Sequence, residues 1–350
     1  MTDTDAGTLE GFPHPPAKSS REQSSRSLTR STPPGRPSRT SLLAAYAALY
    51  VVWGSTYLAI RIAVGSWTPL TLSATRFAIA GGSLYAVLRA RGAPAPGWRA
   101  WASAALVGGL MLAGGNGTVC WAEQWVPSGE TALILAQGAL WMVLLPWLAR
   151  RAPAPRPIVL AGVAIGLAGV AILVGGKAHG DGAAAAVSAV SAGPDMLFIG
   201  RFALVGASFS WVVGSLISRG LPLPTSIWLA SAMEMLASSP LLFALAGLHG
   251  DFTGFSFASV PASGWLALVY LIVFGSFAGF GSYIFLLVHE GPTRTSTNAF
   301  VNPLIAVALG AALAGEAVGA RTILAAAMIV AAVAGVIWGS AARPGPRPRQ

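Results

Sequence analysis

The 350-residue chain is 54% hydrophobic and only 10% charged, with 42 glycines and a mean hydropathy of +0.65. Soluble proteins carry about 25% charged residues, which excludes a soluble enzyme. The net charge of +10 does not signal nucleic acid, because the basic residues stand at the ends of apolar runs and build no continuous face.

Residues 1–40 are polar and rich in Pro, Ser and Arg, with no apolar core for a signal or transit segment, and are expected to form a disordered cytoplasmic arm. Apolar spans follow at roughly 41–64, 69–88, 99–122, 127–149 and 157–175. A second set lies at roughly 197–218, 224–247, 263–287, 293–314 and 321–340. At about 1.5 Å per residue such runs match a hydrocarbon core of about 30 Å. The chain therefore reads as an all-α integral membrane protein of ten transmembrane helices. The domains are the arm 1–40, a five-helix repeat 41–175, an Ala/Ser/Gly-rich external loop 176–196 expected to be flexible, a second five-helix repeat 197–340, and a basic cytoplasmic tail 341–350.

Lys and Arg fix the orientation. With both termini cytoplasmic, seventeen basic residues fall on the inner side, and only Lys177 and Arg321 on the outer. Five spans per set is an odd number, so the second set enters the membrane from the opposite side. The two repeats are then inverted about an axis in the membrane plane, as in secondary transporters. A shift of 166 residues brings Gly109, Gly115 and Gly169 onto Gly275, Gly281 and Gly335, and Gln137 onto Pro303 beside Asn302.

Polar residues inside spans are the candidate functional groups. Thr295, Asn298 and Asn302 share a face of span 9, where Pro303, which has no N–H to donate, is expected to leave backbone carbonyls near residue 299 without a partner. Gln137 and, one turn on, Trp141 take the matching place in span 4. Nine of the twelve tryptophans fit interface belts, Trp67 and Trp265 outside and Trp98 and Trp338 inside among them. Trp53, Trp141 and Trp211 lie at depth, where an indole N–H needs a partner. Trp53 shares a face with Tyr50 and Tyr57, and Trp211 with Ser208, Ser215 and Ser218. Asn116 and Tyr283 belong to the glycine-rich stretches GGLMLAGGNG and FGSFAGFGSY of spans 3 and 8, which read chiefly as close helix contacts. The expected substrate wall is thus Trp53, Tyr57, Asn116, Gln137, Trp141, Trp211, Ser215, Tyr283, Asn298 and Asn302.

Arg76 and Glu234 hold corresponding depths in spans 2 and 7 and are expected to form an intramembrane ion pair, with proton coupling at Glu234 the second reading. Arg61, Glu123, Glu130, Arg201, Glu290 and Glu316 lie near span ends, where reaching water is the simpler reading, with Glu123 and Glu130 a candidate acidic vestibule. Gly175-Gly176-Lys177 lacks the first glycine and the Ser/Thr of a phosphate loop. The single cysteine, Cys120, excludes a disulfide framework, and no nucleophile–base or metal-ligand constellation is present. No enzyme activity, cofactor or metal is expected.

The run WGSTYLAIRIA (Trp53–Ala63), with Pro69 and Arg76-Phe77, resembles the opening of an EamA-type permease of the drug/metabolite transporter superfamily. The run NPLIAVALGAALAGEAVGARTILAAAMIVAAVAGVI (Asn302–Ile337), with Gly315-Glu316, is similar to that family's closing helix pair. The first repeat departs at Arg150, which stands opposite Glu316. The resemblance covers about residues 43–340 and implies a ten-helix permease of a bacterial inner membrane, usually an exporter. The expected function is alternating-access export of a small amphipathic metabolite or amino acid. A multidrug exporter and, from another class, a non-transporting receptor or scaffold are the alternatives. Expected partners are a small-molecule substrate, the bilayer and, as a candidate, protons; no nucleic acid is expected, and the sequence leaves the oligomeric state open.

Overall fold

A backbone crossing hydrocarbon must satisfy its own N–H and C=O groups, so apolar runs of this length become helices. A computed structural model describes residues 37–175, 183–290, 292–295 and 297–341, and among them it contains helices and no strand. We number the long helices α1 (Arg39–Ala63), α2 (Pro69–Ala90), α3 (Trp98–Ala122), α4 (Ser128–Leu148), α5 (Pro157–Gly175), α6 (Ala183–Ser218), α7 (Ile227–His249), α8 (Ala262–His289), α9 (Asn298–Ala314) and α10 (Ala320–Ala341). Eight of these are long and apolar enough to cross a membrane. The others are α2, which carries Arg76 inside it, and α9, which has only 17 residues.

One expectation changes. The segment read as a flexible loop, 176–196, is helical from Ala183 onward, in keeping with its alanine content. Pro303 lies in the second turn of a helix that starts at Asn298, after a separate turn at Pro292–Thr295, and has no N–H for the Ala299 carbonyl. An interruption falls in the other repeat, where α4 divides into Ser128–Ala136 and Gly138–Leu148 around Gln137. Ser208 of α6 donates to the Leu135 carbonyl there (3.3 Å), and Gly138, a poor helix former, follows. The basic tail lies outside the described residues, as does most of the arm.

The principal pairings are α2 with α7, α5 with α10, α9 with both α1 and α4, and α6 with α3. Glycines set their spacing. A methyl group at Gly81 of α2 would lie 2.6 Å from the Leu236 nitrogen of α7, and one at Gly108 of α3 would lie 2.3 Å from the Glu234 carbonyl oxygen. At Gly54 of α1 it would meet Ile305 of α9 at 2.8 Å.

The glycine-rich stretches of α3 and α8 do more than permit approach. Gly109–Gly117 and Leu271–Ala278 are wound as π-helix, a form rare in proteins and often found at functional sites. Its widened turns leave carbonyls for neighbouring helices. Ser210 of α6 donates to Leu110 O (2.7 Å), and Trp53 of α1 donates to Gly275 O (3.3 Å).

At one end of the bundle, Asp251, just past α7, accepts from Leu70 N–H (2.9 Å) and so caps α2, which opens with Pro69. Beside it Trp67 is buried against Phe255, Phe257 and Trp265, a ring cluster rather than the lipid-facing belt expected of it. Trp98 and Trp338 are exposed, as belt residues should be.

Gly108→Ala should lower stability by about 1–3 kcal/mol, because a helix backbone must move to admit the methyl group. Gly109→Ala, whose methyl would meet only Leu241 Cδ2 at 3.4 Å, should stay within about 1 kcal/mol of wild type. Thermal unfolding in detergent compares the two.

Candidate functional site

Arg76 of α2 projects from a close-packed helix and is buried beside α8. Its Nε donates to Ser276 Oγ (3.2 Å), its Nη2 lies where only Gly275 leaves room, and its Nη1 has no hydrogen-bond partner. No ion pair to Glu234 forms, which corrects the expected pair. The two helices do pack together. Arg76 leaves the contact toward α8, however, whereas the Glu234 main chain is pressed against Gly108 of α3. Ser239 of α7 donates to the Ala74 carbonyl (3.0 Å) and Gly81 lies against Leu236, a register that sets Arg76 and Glu234 about a turn apart as well as facing different helices.

The same Gly275 brings a second group to this place. Its carbonyl takes the Trp53 indole, and Trp53 stacks on Tyr283 of α8 (5.5 Å between centroids, 22° between planes). Trp53 was expected to face Tyr50 and Tyr57. Tyr50 instead hydrogen-bonds Thr297 Oγ1 (2.5 Å), and Tyr57 packs into the core. A guanidinium and an aromatic wall therefore converge where α8 is π-helical.

Gln137 and Asn302 are buried in α4 and α9. Neither amide atom of Gln137 has a partner, nor does the Asn302 Oδ1 or the Trp141 indole N–H. Trp141 meets Phe209 of α6 edge-on (5.6 Å). Asn298 is partly buried at the start of α9. Asn116 lies in the π-segment of α3, 3.8 Å from the Cys120 sulfur. Trp211 and Ser215 line the seam of α6 with α3, where Trp211 packs over Gly115 yet stays 40% exposed and Ser215 touches Met111. Of the expected wall, the structure joins Trp53 to Tyr283. An apolar groove of about 550 Å³ on the flank of α2, α3 and α7 contains none of these residues.

Five of the six residues read as reaching for water at span ends gather in one cluster instead, with Glu123, Glu130 and Arg201 buried and Arg61 and Glu316 half-buried, while Glu290 pairs with the exposed Arg294 (2.6 Å). Glu130 in the first turn of α4 pairs with Arg201 of α6 (2.9 Å) and with Arg321 of α10 (3.7 Å). Glu316 follows Gly315, whose φ of 62° ends α9 in the left-handed region that glycine tolerates. Its carboxylate accepts from Ser128 N–H (2.8 Å) and Gly129 N–H (3.0 Å), capping α4 at the positive end of its dipole. Gly310 leaves the space for that carboxylate. Arg61, at the end of α1, donates to the Glu123 main-chain carbonyl. Six charges far apart in sequence thus close one end of the bundle. The expected acidic vestibule of Glu123 and Glu130 joined only two of the six, and no pattern in the chain brought the arginines to it.

Arg201→Met should destabilise the protein by about 3–5 kcal/mol, since it leaves the buried Glu130 without its shorter partner. Adding Glu130→Met should recover most of that loss, measured as a double-mutant cycle on thermal stability.

Comparison with known proteins agrees with this architecture. The chain is 38% identical over 301 residues to the uncharacterized inner membrane transporter YedA of Escherichia coli (strain K12), covering 85% of this chain and 91% of that protein. It is 24% identical over 290 residues to a Salmonella typhimurium protein named "Probable amino-acid metabolite efflux pump", covering 80% and 89%. A solved crystal structure at 22% identity shares the fold, with a TM-score of 0.53 over 85% of this chain and 97% of that one. The model of the EamA-like transporter family matches residues 40–175 and again 198–338. The chain belongs to the EamA-like transporter family.

Proposed function

We propose that the protein is a secondary exporter of a small amphipathic metabolite or amino acid, working by alternating access in a bacterial inner membrane. The observation that carries this is the set of polar atoms on Gln137, Trp141 and Asn302, buried in α4 and α9 without a protein partner. Lipid cannot satisfy such groups, and each costs free energy unless a polar solute or water meets it. The break in α4 at Gln137 is of the kind that lines solute sites in transporters.

Arg76 favours this reading over a multidrug exporter of bulky cations. A guanidinium with an unpartnered N–H beside Trp53 and Tyr283 suits a carboxylate joined to an apolar body, and would repel a cationic drug. A receptor or scaffold gains nothing from a buried, half-satisfied arginine.

The ten-span inverted arrangement remains our proposal, with α2 and α9 as the spans of low hydropathy or short length. Its support is pairwise. Both third helices of the repeats, α3 and α8, carry a π-segment, and each takes a donor from the first helix of the other repeat. Both fourth helices end on a left-handed residue, Arg150 (φ 55°) and Gly315, after which an N–H turns back onto the helix. By that geometry Arg150 corresponds to Gly315, and Arg151 to Glu316.

In proteoliposomes loaded with the twenty standard amino acids, wild type should show exchange of at least one of them. Gln137→Leu should lose it by tenfold or more, about 1.4 kcal/mol of binding or barrier, while unfolding no earlier than wild type. Exchange unchanged in that variant overturns the assignment of the site.

For orientation, single cysteines at Gly97 and Thr253 in a Cys120→Ala background should label from opposite sides. Thr253 should react with an impermeant maleimide from outside, and Gly97 only after permeabilisation.

A further inference from the structure

The charge cluster contains three carboxyl groups, and two of them have ionic or hydrogen-bond partners. Glu130 has two arginines, and Glu316 has two main-chain N–H groups and a helix dipole. Glu123, the residue following α3, has neither. It is 0% exposed, and neither carboxyl oxygen has a hydrogen-bond partner. The Arg61 guanidinium beside it is committed to its main-chain carbonyl.

An ionised carboxylate in that position would forfeit its hydration with nothing returned to either oxygen. The neutral acid avoids most of that cost. We propose that Glu123 is a proton-binding site, protonated while this end of the bundle is closed and ionised when the helix ends around it part.

Every charged or titratable neighbour among the described residues fits this reading. On α1, Arg61 and Tyr57 face Glu123, and Arg61 is the one influence that favours its charged form. Glu316, past α9, opposes it. Arg76 on α2 faces Cys120, and Arg201 on α6 is paired to Glu130. Burial outweighs Arg61 and pushes the Glu123 carboxyl well above the usual carboxylate range. Closure of this end then takes up one proton from water, forming the carboxyl O–H bond, and opening breaks that bond and returns the proton. If this end is external, as the proposed topology has it, external acid favours the outward-closed state. Only that direction rests on the transport reading.

The sign of the effect on stability follows by linkage. Above the ordinary glutamate value of about 4.3, the native protein keeps a proton that the unfolded chain has lost. Stability therefore falls as pH rises toward the folded value. The full-length protein in detergent is unfolded thermally at pH values from about 5 to about 9, on both sides of the neutral range. Wild type and Glu123→Gln should coincide at the acid end. At the alkaline end wild type should unfold at least about 2 °C below the variant. Glu130→Gln should unfold earlier than wild type throughout yet still lose stability between the acid and the alkaline end, the loss that Glu123→Gln removes.

Infrared spectra supply a readout that a purely structural role would not move. Wild type at neutral pH should show a protonated-carboxyl stretch that Glu123→Gln lacks and Glu130→Gln retains. If the glutamine variant does not fold, Glu123→Leu serves, since an apolar group should replace a neutral, unpartnered acid. Parallel pH curves for wild type and variant overturn the proposal. So does a wild type that is more stable than Glu123→Gln at every pH, the mark of an ionised, paired carboxylate. Stabilisation of wild type alone by sodium or methylammonium would assign the site to a cation and overturn it too. Neither readout needs a transported solute, so absence of amino-acid exchange would count against the transport reading alone.

Discussion

Hydrocarbon offers no hydrogen bonds, and each polar group left unsatisfied in it costs several kcal/mol. The architecture depends on that constraint at every level. It makes the long apolar runs helical, and it requires each polar side chain within them to find a partner on another helix. Partners can be reached only where helices nearly touch, which explains why Gly54, Gly81 and Gly108 stand at helix crossings with no room for a methyl group. Small residues here do not weaken the helices so much as bring backbone within reach of backbone.

Against that background the departures from regular helix stand out as controlled exceptions. The π-segments of α3 and α8 expose carbonyls, and Ser210 and Trp53 immediately occupy two of them. The interruption at Gln137 is accompanied by Ser208 on the Leu135 carbonyl. The side-chain atoms of Gln137, Asn302 and Trp141 and the Arg76 Nη1 have no such answer from the protein. They are not alone, since Thr71, Thr75, Thr131 and both Glu123 oxygens are also buried without a protein partner; what sets Gln137 and Arg76 apart is their place at the break in α4 and beside the π-segment of α8.

The charge cluster applies the same logic to ions. A buried pair stabilises only when geometry and further hydrogen bonds offset desolvation. Glu130 and Glu316 meet that condition by different means, one with arginines and one with the start of a helix. Together they join α4, α6, α10 and the residue after α9, so this end of the bundle can separate only if those contacts are exchanged for water.

How much of this was legible in the sequence follows from what a one-dimensional pattern encodes. Composition determined the membrane class, and apolar length with its flanking arginines determined where most helices lie. Gly315-Glu316 and the Asn302–Ile337 run pointed to the right family. Position along a helix is readable to about a turn because rise per residue is nearly constant, and on that count Arg76 and Glu234 were expected close enough in depth to pair. Rotation about each helix axis is not readable to the same accuracy, and it decided that Arg76 turns to Ser276 while Glu234 presses its backbone on Gly108. Only the tertiary structure revealed the interruption at Gln137, which is met by a side chain on another helix. Only packing drew Arg61, Glu123, Glu130, Arg201, Glu316 and Arg321 together, because their association depends on which helix ends become neighbours and on no local pattern in the chain.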